Sequence, residues 1–592
     1  MWGSVFVTFI SLGIVWSYSQ SAPWVATEFG IYQGVWAETN REIPIASFLG
    51  IPYAKEPVGR LRFQKPEPFE DHWRNRRNAT VYRGPCLSLE VSGQGSEDCL
   101  YLNIFTQQKF QNSRKELNKT KRAVMVYVIN DIFGNNNNSL YKPDDLLEHD
   151  VVLVTVNYRL DFFGFFTTGN EVAPGNYGLK DVLEALRWLQ RNIAAFGGDP
   201  NRVTLMGHGL GAGVVHLLAL SEKSEDLFHR YVTQSGAAHM PWSYRSRSSA
   251  VNASLDFAAS LNCTRETMWE IVECLRNIKD FTSEEIDREI FKGWNRFGPM
   301  DELESDEAVV TDHPITLMRE GKARDIPWLT GVVADEGLML TILFLKNESL
   351  CHWEVTENFE EIANAVTNCK YSVKNTTAYV DELLNFYFGN NVTINCSRNF
   401  IEFAGDAVVN WPVYNAVSIQ SKHMTSPVYF YKFNYGGTFT ASQDYGYLEN
   451  PGVSHEDDLN YLFSLLNELY ASELQLNDTA SDSSMKSYVT EMWTNFAKNG
   501  TPILRYMPEW KRYQDGHGYN EFTGGPNFTM QDDFFPPRMN FLTDLNDKQL
   551  IIPNNSEDPI CCGSGRAMGP QCLFNTALVL LLDYLIAVIF AR

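Results

Sequence analysis

Acceptor sites for N-linked glycans are the most frequent reactive pattern in this chain of 592 residues. The pattern Asn-x-Ser/Thr is glycosylated in proteins that pass through the secretory pathway, where it marks surface loops. Chance alone gives several such sites in a long chain, but thirteen of them, spread along the whole length, favour a secreted glycoprotein. The predicted acceptors are Asn78, Asn118, Asn137, Asn252, Asn262, Asn347, Asn375, Asn391, Asn395, Asn477, Asn499, Asn527 and Asn554.

Ten cysteines form the second reactive group of side chains. Disulfides form and persist in the oxidising compartments of the secretory pathway, so a chain that enters this pathway can cross-link its thiols. Spacing alone leaves the connectivity open.

The N-terminus has the pattern of a secretory signal peptide, predicted over residues 1–21. A short apolar run, Val5–Trp16, is followed by small and polar residues through Ser21 and Ala22. This run is too short for a membrane span, which takes about 20 apolar residues. The alternative is a buried strand at the N-terminus.

The C-terminus has the pattern of a signal for a glycosylphosphatidylinositol (GPI) anchor. Small residues at Gly563 and Ser564 are followed by a polar spacer and an apolar stretch, which together make up residues 566–592. Gly563 and Ser564 are therefore the predicted attachment residues. The alternative is a transmembrane helix, but Asp583 near its centre would cost about 2.5–3.5 kcal/mol.

These two termini predict the arrangement of the mature chain. A globular domain over residues 22–548 is joined by a polar stalk, residues 549–565, to the extracellular face of the plasma membrane. The net charge of −23 argues against a nucleic-acid partner, because phosphates are bound by Lys and Arg. Apolar residues make up 44% and charged residues 20%, which is typical of a folded protein and excludes a disordered one.

The middle of the chain alternates strand-like and helix-like segments. Apolar runs at Val124–Ile129, Val151–Asn157 and Val203–Met206 predict buried strands. Leu179–Phe196 has the apolar spacing of a helix. Strands that alternate with helices predict a parallel sheet covered on both faces.

A series of motifs occurs in a fixed order, over roughly Val25 to Leu545. They are Phe48-Leu-Gly-Ile-Pro-Tyr-Ala54, Glu97-Asp-Cys-Leu-Tyr-Leu-Asn103, Asn157-Tyr-Arg159, Gly175-Asn-Tyr-Gly-Leu179, Phe196-Gly-Gly-Asp-Pro200, Gln234-Ser-Gly236, Asp335-Glu-Gly337 and Gly452-Val-Ser-His455. With these motifs the chain is similar to the type-B carboxylesterases and cholinesterases, and the resemblance implies an α/β-hydrolase fold with a large, mostly parallel central sheet flanked by helices. The stretch from Gly452 to Leu459 is most similar to insect carboxylesterases.

The resemblance assigns the positions of a catalytic triad. In this family the nucleophile lies in Gly-x-Ser-x-Gly on a turn from strand to helix, and the acid and then the histidine follow in the chain. The acid position matches Glu336 and the base position matches His455. The nucleophile position is Gly209, in Gly207-His-Gly-Leu-Gly211, and glycine has no side chain that could attack a carbonyl. Ser235 lies in a motif whose serine is structural in the family, so it is not assigned as a replacement.

The oxyanion hole that the family builds from consecutive glycines also departs from its pattern. Asn130, Asp131 and Ile132 occupy the glycine positions, and a carboxylate pointing inward would repel the oxyanion. Two independent parts of the catalytic machinery are therefore altered. On this basis the sequence predicts that the chain is not an enzyme, and that Gly209, Glu336 and His455 form a vestigial triad.

The family resemblance also implies two disulfides, Cys86 with Cys99 and Cys263 with Cys274. The third family disulfide is absent, because Trp411 and Met539 stand at its two positions. Cys351, Cys369 and Cys396 lie in an additional segment, where two of the three are expected to pair. The loop from Cys86 to Cys99 has no aromatic residue for a quaternary ammonium, so choline recognition is not implied.

Three functions remain open at this point. The first is an inactive, extracellular, membrane-anchored protein of recognition or adhesion, because the chain resembles the cholinesterase-like adhesion molecules, neuroligins among them. The second is a carrier that holds an apolar ligand in the old gorge without hydrolysing it. The third is an active carboxylic-ester hydrolase with an unrecognised nucleophile. No cofactor and no metal is expected in any of the three.

The predicted partners are an extracellular protein, the membrane through the C-terminal anchor, and a second copy of this chain. Cleavage after Gly563 or Ser564 removes Cys572 and leaves an odd number of cysteines, which favours an intermolecular bond or a free thiol. Cys561 and Cys562 lie just beyond the domain, where relatives in the cholinesterase branch place a dimer-linking cysteine. We therefore expect a homodimer.

The anchor is tested by treating expressing cells with phosphatidylinositol-specific phospholipase C. We expect the phospholipase to release the protein into the medium, because this phospholipase cuts the lipid of a GPI anchor. A surface protein that resists an effective treatment, and carries a detectable epitope placed after Arg592, would indicate a membrane-spanning tail instead.

Overall fold

A computed structural model describes most of the globular domain. The described residues are 21–88, 95–107, 121–129, 138–279, 297–389, 396–445, 451–505, 508–524 and 528–552. The predicted signal peptide up to residue 20, the chain from residue 553 with Cys561, Cys562, Gly563 and Ser564, and the oxyanion positions Asn130, Asp131 and Ile132 lie outside these ranges. The acceptors outside them are Asn118, Asn137, Asn391, Asn395, Asn527 and Asn554.

The strands form one large sheet and one small sheet. Strands β1, β2 and β5 make the small sheet, and the other eleven run in the order β14-β13-β12-β11-β10-β9-β7-β8-β6-β4-β3. The strands are β1 Trp24–Ala26, β2 Ile31–Gln33, β3 Val35–Glu38, β4 Pro44–Pro52, β5 Arg77–Asn78, β6 Tyr101–Thr106, β7 Arg122–Val128, β8 Val151–Val156, β9 Gly198–His208, β10 Arg230–Gln234, β11 Trp328–Val333, β12 Val428–Phe433, β13 Tyr519–Phe522 and β14 Phe528–Gln531.

The centre of the large sheet is parallel and its two edges are antiparallel. Strands β8, β7, β9, β10, β11, β12 and β13 pair in parallel, whereas β14 on one side and β6, β4 and β3 on the other pair antiparallel. This confirms the predicted α/β-hydrolase fold with a mostly parallel sheet.

Helices cover both faces of this sheet. The α-helices within the described ranges are α1 Asp161–Phe165, α2 Tyr177–Asn192, α3 Gly209–Ala219, α4 Arg247–Ser260, α5 Met268–Arg276, α6 Pro314–Arg319, α7 Leu338–Lys346, α8 Glu348–Glu357, α9 Phe359–Thr367, α10 Cys369–Ser372, α11 Thr376–Phe388, α12 Cys396–Gly405, α13 Trp411–Gln420, α14 Asn460–Phe463, α15 Leu465–Leu474, α16 Ala480–Asn499 and α17 Pro536–Gln549. None of these helices is both long and apolar enough to cross a bilayer.

Alternating side chains of the central strands supply the two halves of the core. In β7, Val124 and Val126 pack with α2 and α3 on one face, while Met125 and Tyr127 pack with α14 and α16 on the other. Successive side chains of a strand point to opposite faces, so a strand buried on both sides is apolar at every position. This is why β7 and β8 could be predicted to within two residues.

The predicted helix at Leu179–Phe196 is divided in the structure. Helix α2 ends at Asn192, and a 3₁₀ turn, Ile193–Phe196, completes the apolar segment. Gly197 then adopts a φ of 86°, which glycine tolerates without steric cost, and the chain enters β9.

Within the part of the chain that the structure describes, three disulfides tie loops and helices to this core. Cys86–Cys99 and Cys263–Cys274 are the pairs that the resemblance implied. Cys351 in α8 is joined to Cys396 at the start of α12, and Cys369 is buried. At the position of the absent family disulfide, the indole of Trp411 donates a hydrogen bond to Thr543 Oγ1 at 3.1 Å, which links α13 to α17.

The predicted glycan acceptors that fall within the described ranges are all on the surface. Each of their side chains is exposed, as attachment of a glycan requires. These residues are Asn78, Asn252, Asn262, Asn347, Asn375, Asn477 and Asn499. Their glycosylation remains a prediction.

A buried ion pair fixes the start of α2 beneath the sheet. The guanidinium of Arg159 donates two hydrogen bonds of 2.7 Å to the carboxylate of Asp181, and the backbone N–H of Arg159 donates a third of 3.1 Å. Neither side chain is more than 3% exposed. Buried, paired charges of this kind are costly to separate.

Replacing Asp181 by Ala should lower the free energy of unfolding by about 3–5 kcal/mol, because it leaves the buried guanidinium of Arg159 without its counter-charge. The matched control is Glu67→Gln, which breaks the solvent-exposed pair with Lys55 and should leave stability unchanged. Denaturant titration of the two variants measures both effects. A loss for Asp181→Ala no larger than that of the control would contradict the assignment.

Candidate active site

A tight turn from β9 into α3 forms the centre of the site. Strand β9 ends at His208, and Gly209 begins α3 with a φ of 52°. A Cβ on Gly207 would lie 2.4 Å from the carbonyl carbon of Gly211, so only glycine permits this close approach. Gly236, after β10, is equally confined, because a Cβ there would lie 2.4 Å from the carbonyl oxygen of Gly209.

Gly209 faces a histidine. Among the described residues, a Cβ built on Gly209 would meet only the imidazole of His455 within 4 Å, with Nε2 at 3.2 Å. The nucleophile position of the family and the histidine at its base position therefore still face each other.

The acid and the base are joined as the resemblance implied. His455 Nδ1 lies 2.6 Å from Glu336 Oε2, and both side chains are buried. The other oxygen of Glu336 accepts the backbone N–H of Val333, at the end of β11, at 2.8 Å. Because Nδ1 donates to the carboxylate, Nε2 of the neutral ring carries a lone pair, and no described residue hydrogen-bonds to it.

Two acidic residues hold the loop that carries His455. The carboxylate of Asp335 accepts the backbone N–H of Val453 at 3.1 Å, which ties the histidine loop to the acid loop. Asp457 accepts the backbone N–H groups of Ser454 at 2.8 Å and Ala441 at 2.7 Å. Burial raises the pKa of the Asp457 carboxyl to about 8.

A second imidazole packs against the first, and the sequence did not predict its role. The rings of His208 and His455 are 4.5 Å apart between centroids, and His208 Nε2 lies 3.6 Å from Asp458 Oδ1. The other oxygen of Asp458 accepts hydrogen bonds from Gln234 at 2.9 Å and Tyr431 at 3.0 Å. The signal in the sequence was the carboxylate pair, Asp457 and Asp458, that follows His455.

The surroundings of His208 and Asp458 determine which of the two is charged. Burial, together with the neighbouring ring of His455, lowers the pKa of His208. Burial alone would raise the pKa of Asp458, but the nearby His208 and the hydrogen bonds from Gln234 and Tyr431 hold it below its usual range. Asp458 is therefore ionised and His208 neutral at pH 7.

Two further predicted positions have separate outcomes. Ser235 is buried at the end of β10 with a φ of 49°, and its backbone N–H donates to the carbonyl of Gly331 at 2.8 Å. It thus belongs to the strand end, in agreement with the structural role assigned to it. For the oxyanion hole, the first turn of α3 has no side-chain cap hydrogen bond from His208, and the N–H of Leu210 belongs to this turn, at the positive end of the helix dipole.

Replacing Gly209 by Ala should lower the free energy of unfolding by roughly 1–3 kcal/mol, because the new side chain is forced into left-handed backbone space. The matched control is Gly84→Ala, since a Cβ at Gly84 meets no atom of the described residues within 4 Å and its φ lies outside that region. Denaturant titration compares the two. Equal stability would show that the turn relaxes more easily than its geometry indicates.

Comparison with known proteins identifies relatives of this chain. The sequence model of the Carboxylesterase family matches residues 21–542. A carboxylic ester hydrolase of Bombus ignitus is 31% identical over 513 residues, which cover 84% of this chain and 89% of that protein. Neuroligin-2 of Mus musculus is 32% identical over 531 residues, which cover 81% of this chain and 60% of that protein.

A solved structure shares the fold. The crystal structure of juvenile hormone esterase from Manduca sexta, with OTFP covalently attached, superposes with a TM-score of 0.77. The match covers 89% of this chain and 100% of that one at 24% identity.

These relatives correct the prediction that the chain is not an enzyme. That prediction rested on Gly209 and on Asn130, Asp131 and Ile132, but a relative that matches most of the chain is named as a carboxylic ester hydrolase. The physical reason is that Gly209 removes one nucleophile, whereas Glu336 and His455, at the acid and base positions of the family, are still hydrogen-bonded and buried. By motif order, fold and sequence match together, this chain belongs to the Carboxylesterase family.

Proposed function

We propose that this site hydrolyses a carboxylic ester, with a water molecule at Gly209 as the nucleophile. The observation that carries the proposal is Nε2 of His455, which has no hydrogen-bond partner among the described residues and lies 3.2 Å from the position where a Cβ of residue 209 would stand. A water oxygen at that position would lie within hydrogen-bonding distance of Nε2. A general base needs this geometry to take the proton of its nucleophile.

The reaction needs no covalent intermediate on the protein. The water oxygen attacks the carbonyl carbon while His455 Nε2 takes its proton, and Glu336 stabilises the imidazolium that forms. The bond from the carbonyl carbon to the alcohol oxygen then breaks, and His455 returns the proton to the departing alkoxide. The products are a carboxylic acid and an alcohol.

We assign the N–H of Leu210 as a donor to the negative charge of the tetrahedral intermediate. The N–H of Leu210, in the first turn of α3, follows the nucleophile position and carries the positive end of the helix dipole. Such donors act where charge develops, in a site from which water is excluded.

The expected turnover is slow. A positioned general base contributes about 10²–10⁴ in rate, whereas loss of the serine in a Ser-His-Asp protease costs about 10⁶ in kcat. A water at Gly209 can replace only part of what the serine supplied.

A second candidate function, recognition at the cell surface, is favoured by the match to neuroligin-2 over 81% of this chain. Neuroligins are among the adhesion molecules that the motifs resemble. The exposed glycan acceptors and the predicted anchor fit the same role, which is compatible with slow hydrolysis. Binding of the purified protein to a panel of cells tests for the extracellular partner.

Replacing His455 by Ala should lower kcat/KM for a p-nitrophenyl ester by about 10²–10⁴, because it removes the general base. The matched control is His352→Ala on α8, a histidine that takes no part in the site. Hydrolysis that survives in His455→Ala at the wild-type rate would contradict the proposal.

Covalent inhibitors distinguish water from a serine nucleophile. The wild-type activity should resist an organophosphate, since Gly209 offers no hydroxyl to be phosphorylated. Gly209→Ser should gain a phosphorylated serine in mass spectra, because its Oγ would lie beside His455. Rapid inactivation of the wild type by the organophosphate would reveal another nucleophile.

The homodimer is a separate expectation. Phe386 of α11 is 40% exposed, and its ring stacks on that of Phe541 of α17 with 3.9 Å between the ring centroids. Helix α17 is the last helix of the domain before Cys561 and Cys562 in the sequence. On non-reducing gels we expect a dimer that becomes a monomer in Cys561→Ser/Cys562→Ser, whereas Cys369→Ser should leave the band in place. A monomer in sedimentation at micromolar concentration would contradict it.

A further inference from the structure

A second cavity lies outside the active site. It has a volume of about 490 Å³, between the segment 239–249 after β10 and helices α13 and α17, and none of Gly209, Glu336 and His455 lines it. A neighbouring cavity of about 320 Å³ shares part of its wall. Both volumes fall in the range of small-molecule pockets, roughly 300–1,000 Å³.

Two histidines in this cavity have fixed tautomers. His313 Nδ1 accepts the backbone N–H of Ile315 at 3.2 Å, at the start of α6, so the proton of the neutral ring is on Nε2. His239 Nε2 accepts from the side-chain amide of Asn415 at 3.2 Å, so its proton is on Nδ1. The Nδ1–H of His239 is buried and has no hydrogen-bond acceptor among the described residues, whereas the ring of His313 is only partly buried.

Both rings are uncharged at neutral pH. Burial lowers the pKa of His313 to about 4, and burial with the nearby His313 lowers the pKa of His239 well below its usual value. The remaining wall is mixed: Met240 and Trp411 are apolar, whereas Arg245 is charged and several serines are polar. The cavity therefore combines two neutral donors with apolar contact surface and one guanidinium.

We propose that this cavity binds an uncharged, apolar molecule through a carbonyl or ether oxygen, which accepts hydrogen bonds from His239 and His313. A buried N–H without an acceptor is unfavourable, and an oxygen of the ligand satisfies it. A carboxylate gains no opposite charge from the two rings. This inference does not depend on the proposed hydrolysis, because it uses a different set of residues.

The test is isothermal titration of the full-length protein from expressing cells with decan-2-one, a neutral ketone that no esterase hydrolyses, and with decanoate. We expect the ketone to bind more tightly than decanoate. His313→Asn keeps a side-chain acceptor for the start of α6 but loses the ring N–H, and it should weaken ketone binding by about tenfold or more. His455→Ala should bind the ketone like the wild type, which separates this cavity from the active site.

Cavity-filling variants locate the binding site. Ala407 and Ser249 both line the cavity, so Ala407→Leu and Ser249→Leu should each abolish ketone binding, while Ala407→Ser and Ser249→Ala should retain it. The melting temperature of each variant identifies any that fails to fold. Three results would each overturn the proposal. In the first, decanoate binds more tightly than the ketone and its binding is lost in Arg245→Gln. In the second, both leucine variants bind the ketone like the wild type, and in the third the wild type does not bind the ketone.

Discussion

The hydrogen bond between His455 and Glu336 holds together two loops that are 119 residues apart in the chain. It is buried, and it is reinforced by the carboxylate of Asp335, which accepts the N–H of Val453. The acid follows β11 and the histidine loop follows β12, and these strands are parallel neighbours, so their ends meet at one edge of the sheet. The rest of the site takes its position from this bond.

The same hydrogen bond orients His455 toward the turn at Gly209. With Nδ1 committed to Glu336, Nε2 of His455 faces the one place in the turn where a side chain would begin. The family geometry has been kept although the nucleophile has not, which is the arrangement that a water nucleophile requires. His208 and Asp458 add a second buried imidazole and carboxylate beside the first.

Much of this could be predicted from the sequence, for reasons that differ between residues. Strand β7 is apolar from Ala123 to Val128 because it is buried there on both faces, and Gly209, Glu336 and His455 follow from the order of the motifs. The contact of His208 with Asp458, the pairing of Cys351 with Cys396, and the cavity at His239 and His313 depend on elements far apart in sequence. Such contacts leave no local pattern. The prediction that the chain is not an enzyme was wrong because it rested on the altered nucleophile and oxyanion positions and gave little weight to the retained pair, Glu336 and His455.

The most direct measurement of the central claim is the first turnover of a p-nitrophenyl ester, followed by stopped flow at enzyme concentrations comparable to substrate, with the intact mass of the protein recorded during turnover. Attack by water predicts release of nitrophenol that depends on enzyme concentration, is linear from time zero, and leaves the protein mass unchanged. A burst of nitrophenol with an acylated protein, or no release above the buffer rate, would contradict the account.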